Sequence, residues 1–130
     1  MGNRFEISVV AHDEAWAGYR IDAAIGEVRR IEALFTTYNE SSLTNLVNRH
    51  AGISPVETDP EFFNLVKRSK RISEITQGAF DITYGSIDKK LWNFDKNMTS
   101  LPDPVTARNM IRLINYRNIV LDEKNHTVYL

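Results

Sequence analysis

Apolar and polar residues recur along the first third of the chain with two different periods. Phe5, Ile7 and Val9 alternate with other residues, a period of two that predicts a first strand over residues 5–10 with one buried face. Asp13 then stands where a helix N-cap would stand. After it the apolar residues return every three or four positions, which predicts a long amphipathic helix with this stripe: Trp16, Ala17, Ile21, Ala24, Ile25, Val28, Ile31, Leu34.

The middle of the chain carries clear helix start and stop signals. Ser42 is placed to cap a short helix that reaches about Arg49, and residues 56–58 have the composition of a short strand. Asp59 followed by Pro60 combines an N-cap acid with proline at the first helical position. The helix that begins there is expected to run to Gln77 and to stop at Gly78, which we expect at the left-handed C′ position.

The last third is predicted as a helix followed by a hairpin. Residues 87–92 fit a short amphipathic helix, and residues 93–100 a polar loop with a small apolar cluster beneath it. Asp103-Pro104 repeats the helix-start signal, and the inner face of this helix is expected to be Val105, Met110, Ile111, Leu113 and Ile114. Residues 119–121 and 127–130 are predicted strands of one hairpin. Strands do not alternate regularly with helices, so an α+β fold with a mainly antiparallel sheet packed with helices is expected.

Composition narrows the classes of function. The 130 residues contain 42% hydrophobic and 25% charged residues, carry a formal net charge of −1, and include no cysteine. This is the composition of one globular domain, without the basic field that attracts nucleic acid and without thiolate chemistry. The chain stops at Leu130 inside an apolar strand, which suggests either a natural end or a longer protein, and an exposed strand edge that would favour self-association.

Few residues have a pattern that indicates chemistry. His12, His50 and His126 lack helical i,i+3 or i,i+4 partners, so we expect solvated histidines and no metal site. The basic run 67–71 is interpreted as a solvated helix face rather than as an anion site. No spacing identifies a catalytic residue.

Two segments indicate a ligand site more directly. Tyr38 follows a helix end and precedes a polar turn. Its ring could pack in or at the rim of the core, the role that chemistry alone favours, or could stack on a planar heterocycle. The segment 76–83 closes a helix with glycine and then presents a small residue, an aromatic ring and a carboxylate: Ala79, Phe80 and Asp81. Most glycines at such places only end helices, yet this turn also permits close approach of a ligand.

Five segments taken together resemble the ApbE-type flavin transferases. Residues 1–5 resemble the family's Met-Gly-Thr-x-Phe opening, with Asn3 in place of threonine, and residues 31–42 resemble its helix end followed by Ser-Thr-Tyr and a polar turn. Residues 43–48 are similar to its Ile/Leu-x-x-Leu-Asn segment. Residues 76–83 are similar to Thr-Asp/Gly-Gly-Ala-Phe-Asp-Pro/Ile-Thr, and residues 91–94 to Leu-Trp-Gly-Phe. The order is that of the family and the resemblance runs the whole length.

The resemblance implies a specific chemistry. Family members use FAD and a divalent metal, usually Mg²⁺, to move FMN onto a threonine or serine hydroxyl of a target flavoprotein, with release of AMP. Many are periplasmic or lipid-anchored, so this location is expected here, although no signal or anchor is present in these residues. The positions that match FAD contacts are Met1, Tyr38, Ala79, Phe80 and Asp81.

One departure from the family limits this expectation. The family's Asp-Leu-Gly-Gly-x-x-Lys-Gly and His-x-x-Asp-x-x-Thr-Gly segments, which carry the metal ligands, do not occur in residues 1–130. The resemblance therefore implies the N-terminal part of a flavin transferase domain without the C-terminal metal-binding part, inactive or nearly so by itself. The alternative is a non-catalytic flavin-binding module, or a protein-interaction module that pairs its edge strand with another chain.

Overall fold

The computed structural model describes residues 4–86 and 103–130, which form parts of two compact units. The first unit is Met1–His50 and the second is Ala51–Leu130. In the described residues, four α-helices and a three-stranded antiparallel sheet confirm the expected α+β class. No helix among these residues is long and apolar enough to cross a membrane.

The described residues of the first unit include two helices with the predicted caps. Helix α1 (Glu14–Phe35) begins at Asp13, whose side chain accepts a hydrogen bond from the N–H of Trp16. Helix α2 (Leu43–Arg49) begins at Ser42, whose hydroxyl accepts from the N–H of Asn45. Both starts were predicted because a cap requires only a suitable side chain within three residues.

The strand expected over residues 5–10 is wrong. The structure gives these residues no regular secondary structure, and Phe5 and Val10 are exposed. A strand forms only when its backbone N–H and C=O groups find a neighbouring strand, and the period-two pattern contains no information about that partner.

The second unit is built on helix α3 (Pro60–Ile75), which begins at Asp59 as predicted. Its buried face is formed by Phe62, Phe63, Val66, Ser69 and Ser73. The basic run is engaged locally, since Lys67 pairs with Glu123, Arg71 pairs with Glu74, and the ammonium of Lys70 donates to the carbonyl of Ile119.

The sheet contains strands β1 (Val56–Glu57), β2 (Val120–Asp122) and β3 (Thr127–Tyr129) in the order β1-β3-β2. Val128 of β3 pairs with Val56 on one side and with Leu121 on the other. The carbonyl of Leu130 also accepts a hydrogen bond from Gly52 N–H, at 2.8 Å. The last strand is therefore central, and the interpretation of the Leu130 strand as an exposed edge is wrong. The edges of the described sheet are β1 and β2.

Helix α4 (Pro104–Ile111) begins at Asp103 as predicted, but its expected inner face is largely exposed. Val105, Ile111 and Leu113 are exposed, while Met110 and Ile114 are half-buried. A helix of eight residues has only two turns, so apolar spacing in it does not fix which face packs. A 3-10 helix at Ile82–Ser86 and another at Tyr116–Asn118 complete the described elements. The predictions for residues 87–102 lie outside the described residues.

Candidate functional site

Tyr38 lies in the first unit, three residues beyond α1, with 85% of its surface exposed. This exposure contradicts packing at the rim of the core, the role that chemistry alone favoured. The N–H of Tyr38 donates to the hydroxyl of Thr36 at 3.1 Å, which sets the start of the turn. The ring is thus left available to a planar ligand.

A side chain of α2 holds the turn that carries Tyr38. The amide nitrogen of Asn45 donates to the carbonyl of Thr37 at 2.9 Å and to the carbonyl of Asn39 at 2.8 Å. These two carbonyls flank Tyr38, so one amide group fixes the backbone on both sides of it. Arg49 adds a hydrogen bond to the next carbonyl, that of Glu40.

The same turn borders an open apolar cleft of about 200 Å³. The cleft lies along the last turn of α1 and continues to the tyrosine itself. Its lining residues are Ile31, Glu32, Phe35, Thr36, Thr37 and Tyr38. This open apolar surface next to an exposed ring offers area on which a flat aromatic group can stack.

The second predicted segment follows the end of α3 and has a regular geometry. Gly78 N–H donates to the carbonyl of Ser73 at 2.8 Å, and Gln77 N–H donates to the carbonyl of Glu74 at 3.1 Å. This pair of bonds is the Schellman motif, in which C″ and C′ reach back to C3 and C2. Gln77, with φ of 54°, therefore occupies C′, and Gly78, with φ of 86°, occupies C″. The expectation that Gly78 is the C′ residue is off by one position.

Thr76 continues the ordering of this segment. The carbonyl of Thr76 accepts from Ala79 N–H at 3.1 Å, and its hydroxyl accepts from Phe80 N–H at 3.2 Å. The N–H groups of Ala79 and Phe80 are thus engaged within the turn. Phe80 nevertheless keeps 43% of its surface exposed, so its ring is accessible to a ligand.

The carboxylate of Asp81 accepts hydrogen bonds from the protein's own backbone. One carboxylate oxygen accepts from the N–H of Thr83, and the other accepts from the N–H of Tyr116. The spacing of Asp81 and Thr83 is that of an Asx turn, a signal that was readable in the sequence. The contact with Tyr116 was not, because it joins residues 35 positions apart.

The five predicted FAD positions are thus distributed as follows. Ala79, Phe80 and Asp81 are consecutive in the second unit, Tyr38 belongs to the first unit, and Met1 lies outside the described residues. Sequence reasoning missed Asn45 and Tyr116, which fix the two turns. Among residues 4–86 and 103–130, no group of three or more histidine, aspartate or glutamate side chains is arranged to hold a metal ion.

Comparisons with known proteins agree on one family. The model of the ApbE family matches residues 1–130. A FAD:protein FMN transferase of Klebsiella pneumoniae is 28% identical over the whole chain, and one of Treponema pallidum is 27% identical over 78% of it. The chain spans 40% and 29% of the lengths of these two relatives.

Solved structures give the same result. The ApbE protein of Thermotoga maritima superposes with a TM-score of 0.73 at 30% identity, covering 88% of this chain and 37% of that one. The apo flavinyl transferase ApbE of Pseudomonas stutzeri, at 18% identity and a TM-score of 0.69, shares the fold. With the family model matched from the first residue to the last, the chain belongs to the ApbE family.

Proposed function

We propose that this chain supplies part of the FAD site of a FAD:protein FMN transferase. The observation that carries the proposal is the family match over all 130 residues, with relatives that bear this name. The exposed rings of Tyr38 and Phe80 support it, because each stands on a turn that the protein's own hydrogen bonds hold in place.

In the proposed reaction, a threonine or serine hydroxyl of a target flavoprotein attacks the FMN phosphorus of FAD. The new phosphoester bond forms as the bond to the AMP phosphate breaks, the hydroxyl loses its proton, and AMP leaves. Phosphoryl transfer of this kind depends on orientation of the reactants and on neutralisation of the developing charge. The residues described here serve the first requirement, since Tyr38 and Phe80 offer surfaces against which flat rings are oriented.

We propose Mg²⁺ as the cofactor that neutralises the negative charge developing during phosphoryl transfer. The described residues do not form a metal site, so no step of the reaction is assigned to a metal bound by them. The two family segments that carry metal ligands do not occur in residues 1–130. We therefore propose that the 130-residue chain alone transfers FMN very slowly or not at all.

A transfer assay tests this proposal. The chain is mixed with FAD, Mg²⁺ and a target subunit that contains the acceptor threonine, and covalent flavin and released AMP are both measured. The full-length Klebsiella relative serves as the positive control. We expect FAD to bind and FMN transfer to be absent or at trace level; turnover equal to that of the control enzyme would show that the chain is a complete catalyst.

Binding is tested separately by flavin fluorescence titration. Tyr38→Ala should weaken FAD binding by about tenfold, the effect of losing a stacking contact of 1–3 kcal/mol. Tyr19→Ala is the matched control, because Tyr19 is also an exposed tyrosine of the first unit but lies on α1 away from the cleft. Equal affinities in the two variants would remove Tyr38 from the site.

We also propose that the protein acts in the periplasm or on a lipid anchor facing it, in keeping with the resemblance. Fractionation of the native host cells with detection by antibody tests this. Recovery in the cytoplasmic fraction would contradict it.

Self-association stays a prediction, now through the β1 or β2 edge, and light scattering at several concentrations measures it.

A further inference from the structure

The carboxylate of Asp81 is almost fully occupied by the protein. Its Oδ1 accepts from both the N–H and the hydroxyl of Thr83, at 2.9 and 2.7 Å. Its Oδ2 accepts from the N–H of Tyr116 at 2.8 Å. An ionised carboxylate has about four acceptor positions, so three of them are already used and the group has little capacity left for a ligand.

Thr83 extends this network to the residue before Tyr116. Its hydroxyl donates to Asp81 and accepts from the N–H of Asn115 at 2.9 Å. Two consecutive backbone amides, those of Asn115 and Tyr116, are therefore held by side chains from a segment more than thirty residues earlier in the chain. We name this set of bonds the 81–83/115–116 clamp.

The clamp places the ring of Tyr116 against the turn. Tyr116 is only 7% exposed, and a Cβ atom at Gly78 would lie 3.7 Å from its Cε1. The ring thus packs at the glycine that opens the segment, while the clamp fixes the residues that close it. The backbone that carries Phe80 is held at both ends.

We propose that Asp81 and Thr83 are positioning residues, which shape the wall of the FAD site through the 81–83/115–116 clamp rather than through contact of the Asp81 carboxylate with FAD. Family resemblance places Asp81 among the FAD contacts; the clamp assigns its side chain to the protein and leaves the exposed ring of Phe80 for the ligand. The ligand in this proposal rests on the proposed function, whereas the clamp itself does not.

Asp81→Asn, Thr83→Val and Thr83→Ser separate the two roles. In Asp81→Asn, the amide oxygen keeps the bonds to Thr83 and the NH₂ group then faces the N–H of Tyr116. Two donors face each other, so the bond to Tyr116 is lost. Thr83→Val keeps the shape of the side chain but removes both bonds of the hydroxyl, and Thr83→Ser retains them. Asp122→Asn is the matched control, since Asp122 also accepts backbone N–H bonds but lies at the end of β2, beside the hairpin turn.

Amide hydrogen exchange in the absence of FAD tests whether the clamp protects the amides of Asn115 and Tyr116. The Tyr116 amide should exchange about tenfold faster in Asp81→Asn, which removes its bond to the carboxylate, and the Asn115 amide should exchange severalfold faster in Thr83→Val, which removes its bond to the hydroxyl. Both amides should exchange at the wild-type rate in Thr83→Ser and Asp122→Asn. Unchanged exchange in both Asp81→Asn and Thr83→Val would overturn the clamp. If Asp81→Asn does not fold, the comparison of Thr83→Val with Thr83→Ser decides the same point.

FAD titration of the same variants measures the effect of the clamp on FAD affinity. Asp81→Asn and Thr83→Val should each weaken FAD binding by about tenfold, and the double variant should be no weaker than the weaker single one, because both changes break one network. Weak binding in Asp81→Asn with normal binding in Thr83→Val, when hydrogen exchange shows that both variants loosen the clamp, would show that Asp81 contacts FAD directly and would overturn the positioning role. If no variant, wild type included, binds FAD, the proposed function fails while the exchange result still decides the clamp.

Discussion

Replacement of Gly78 by alanine tests the geometry of the turn that follows α3. Gly78 has φ of 86°, a region that L-residues enter at a cost of about 1–2 kcal/mol. Among the described residues, the added methyl group meets only Tyr116 Cε1, at 3.7 Å, which is ordinary van der Waals contact. Alanine also reduces the entropy of the unfolded chain, which returns about 0.4–1 kcal/mol. We therefore expect Gly78→Ala to lower the free energy of unfolding by about 1 kcal/mol.

Gln77 supplies a test of opposite sign in the same motif. Its φ of 54° also lies in the left-handed region, so Gln77→Gly removes the strain of an L-residue in that region. Glycine also raises the entropy of the unfolded chain, which is a smaller effect of opposite sign. The net expectation is a gain of roughly 0.5 kcal/mol. Gly85→Ala is the control, because Gly85 has no positive φ and no described atom lies within 4 Å of its added Cβ.

Thermal unfolding followed by circular dichroism measures all three variants. For a unit of this size, 1 kcal/mol corresponds to about 4–8 °C in Tm. Gly78→Ala should melt about 4–8 °C lower than wild type, Gln77→Gly a few degrees higher, and Gly85→Ala at or slightly above wild type. A Gly78→Ala variant that melts with the wild type, or a Gln77→Gly variant that melts lower, would refute the assignment of C′ and C″.

Three further predictions follow from other parts of the chain. Ile119 is completely buried. In urea titrations, Ile119→Ala should lower the free energy of unfolding by about 2–5 kcal/mol and Ile119→Val by about 0.5–1.5 kcal/mol. The side-chain amide of Asn125 is the main cause that lowers the pKa of Asp122, so the contribution of this carboxylate to the stability of the hairpin turn should be fully present at neutral pH and should be lost as the pH falls below 3.8, the ordinary value; amide chemical shifts of residues 122–125 would report this. Asn45→Ala should free the 37–39 turn and weaken FAD binding severalfold in fluorescence titrations, with little change in the second unit.

Local signals in the sequence predicted local structure well. Asp13, Asp59 and Asp103 each begin a helix where the sequence places it, because a cap is satisfied within three residues of itself. The hairpin strands were predicted for a similar reason, since apolar strands flank a polar turn. Gly78 was placed one residue out because this turn has two successive residues with positive φ, and the first of them, at C′, is Gln77 rather than a glycine.

Features that depend on distant partners were not predictable from the pattern alone. The strand expected over 5–10 lacks a neighbour among the described residues, and the strand at 127–130 gained neighbours on both sides. Asp81 illustrates the same limit at the site. Its residue type and position indicated a ligand contact, while its actual partner, the Tyr116 amide, lies 35 residues further along the chain.

We propose that this chain presents two FAD-binding turns, one at Tyr38 and one at Phe80. Titration of the ¹⁵N-labelled chain with FAD, followed by amide chemical shifts, tests both turns in one measurement. We predict concentration-dependent shifts at residues 36–39 and 78–82 and unchanged shifts at the hairpin turn 122–125. Absence of shifts at both turns, with FAD in large excess, would contradict this proposal.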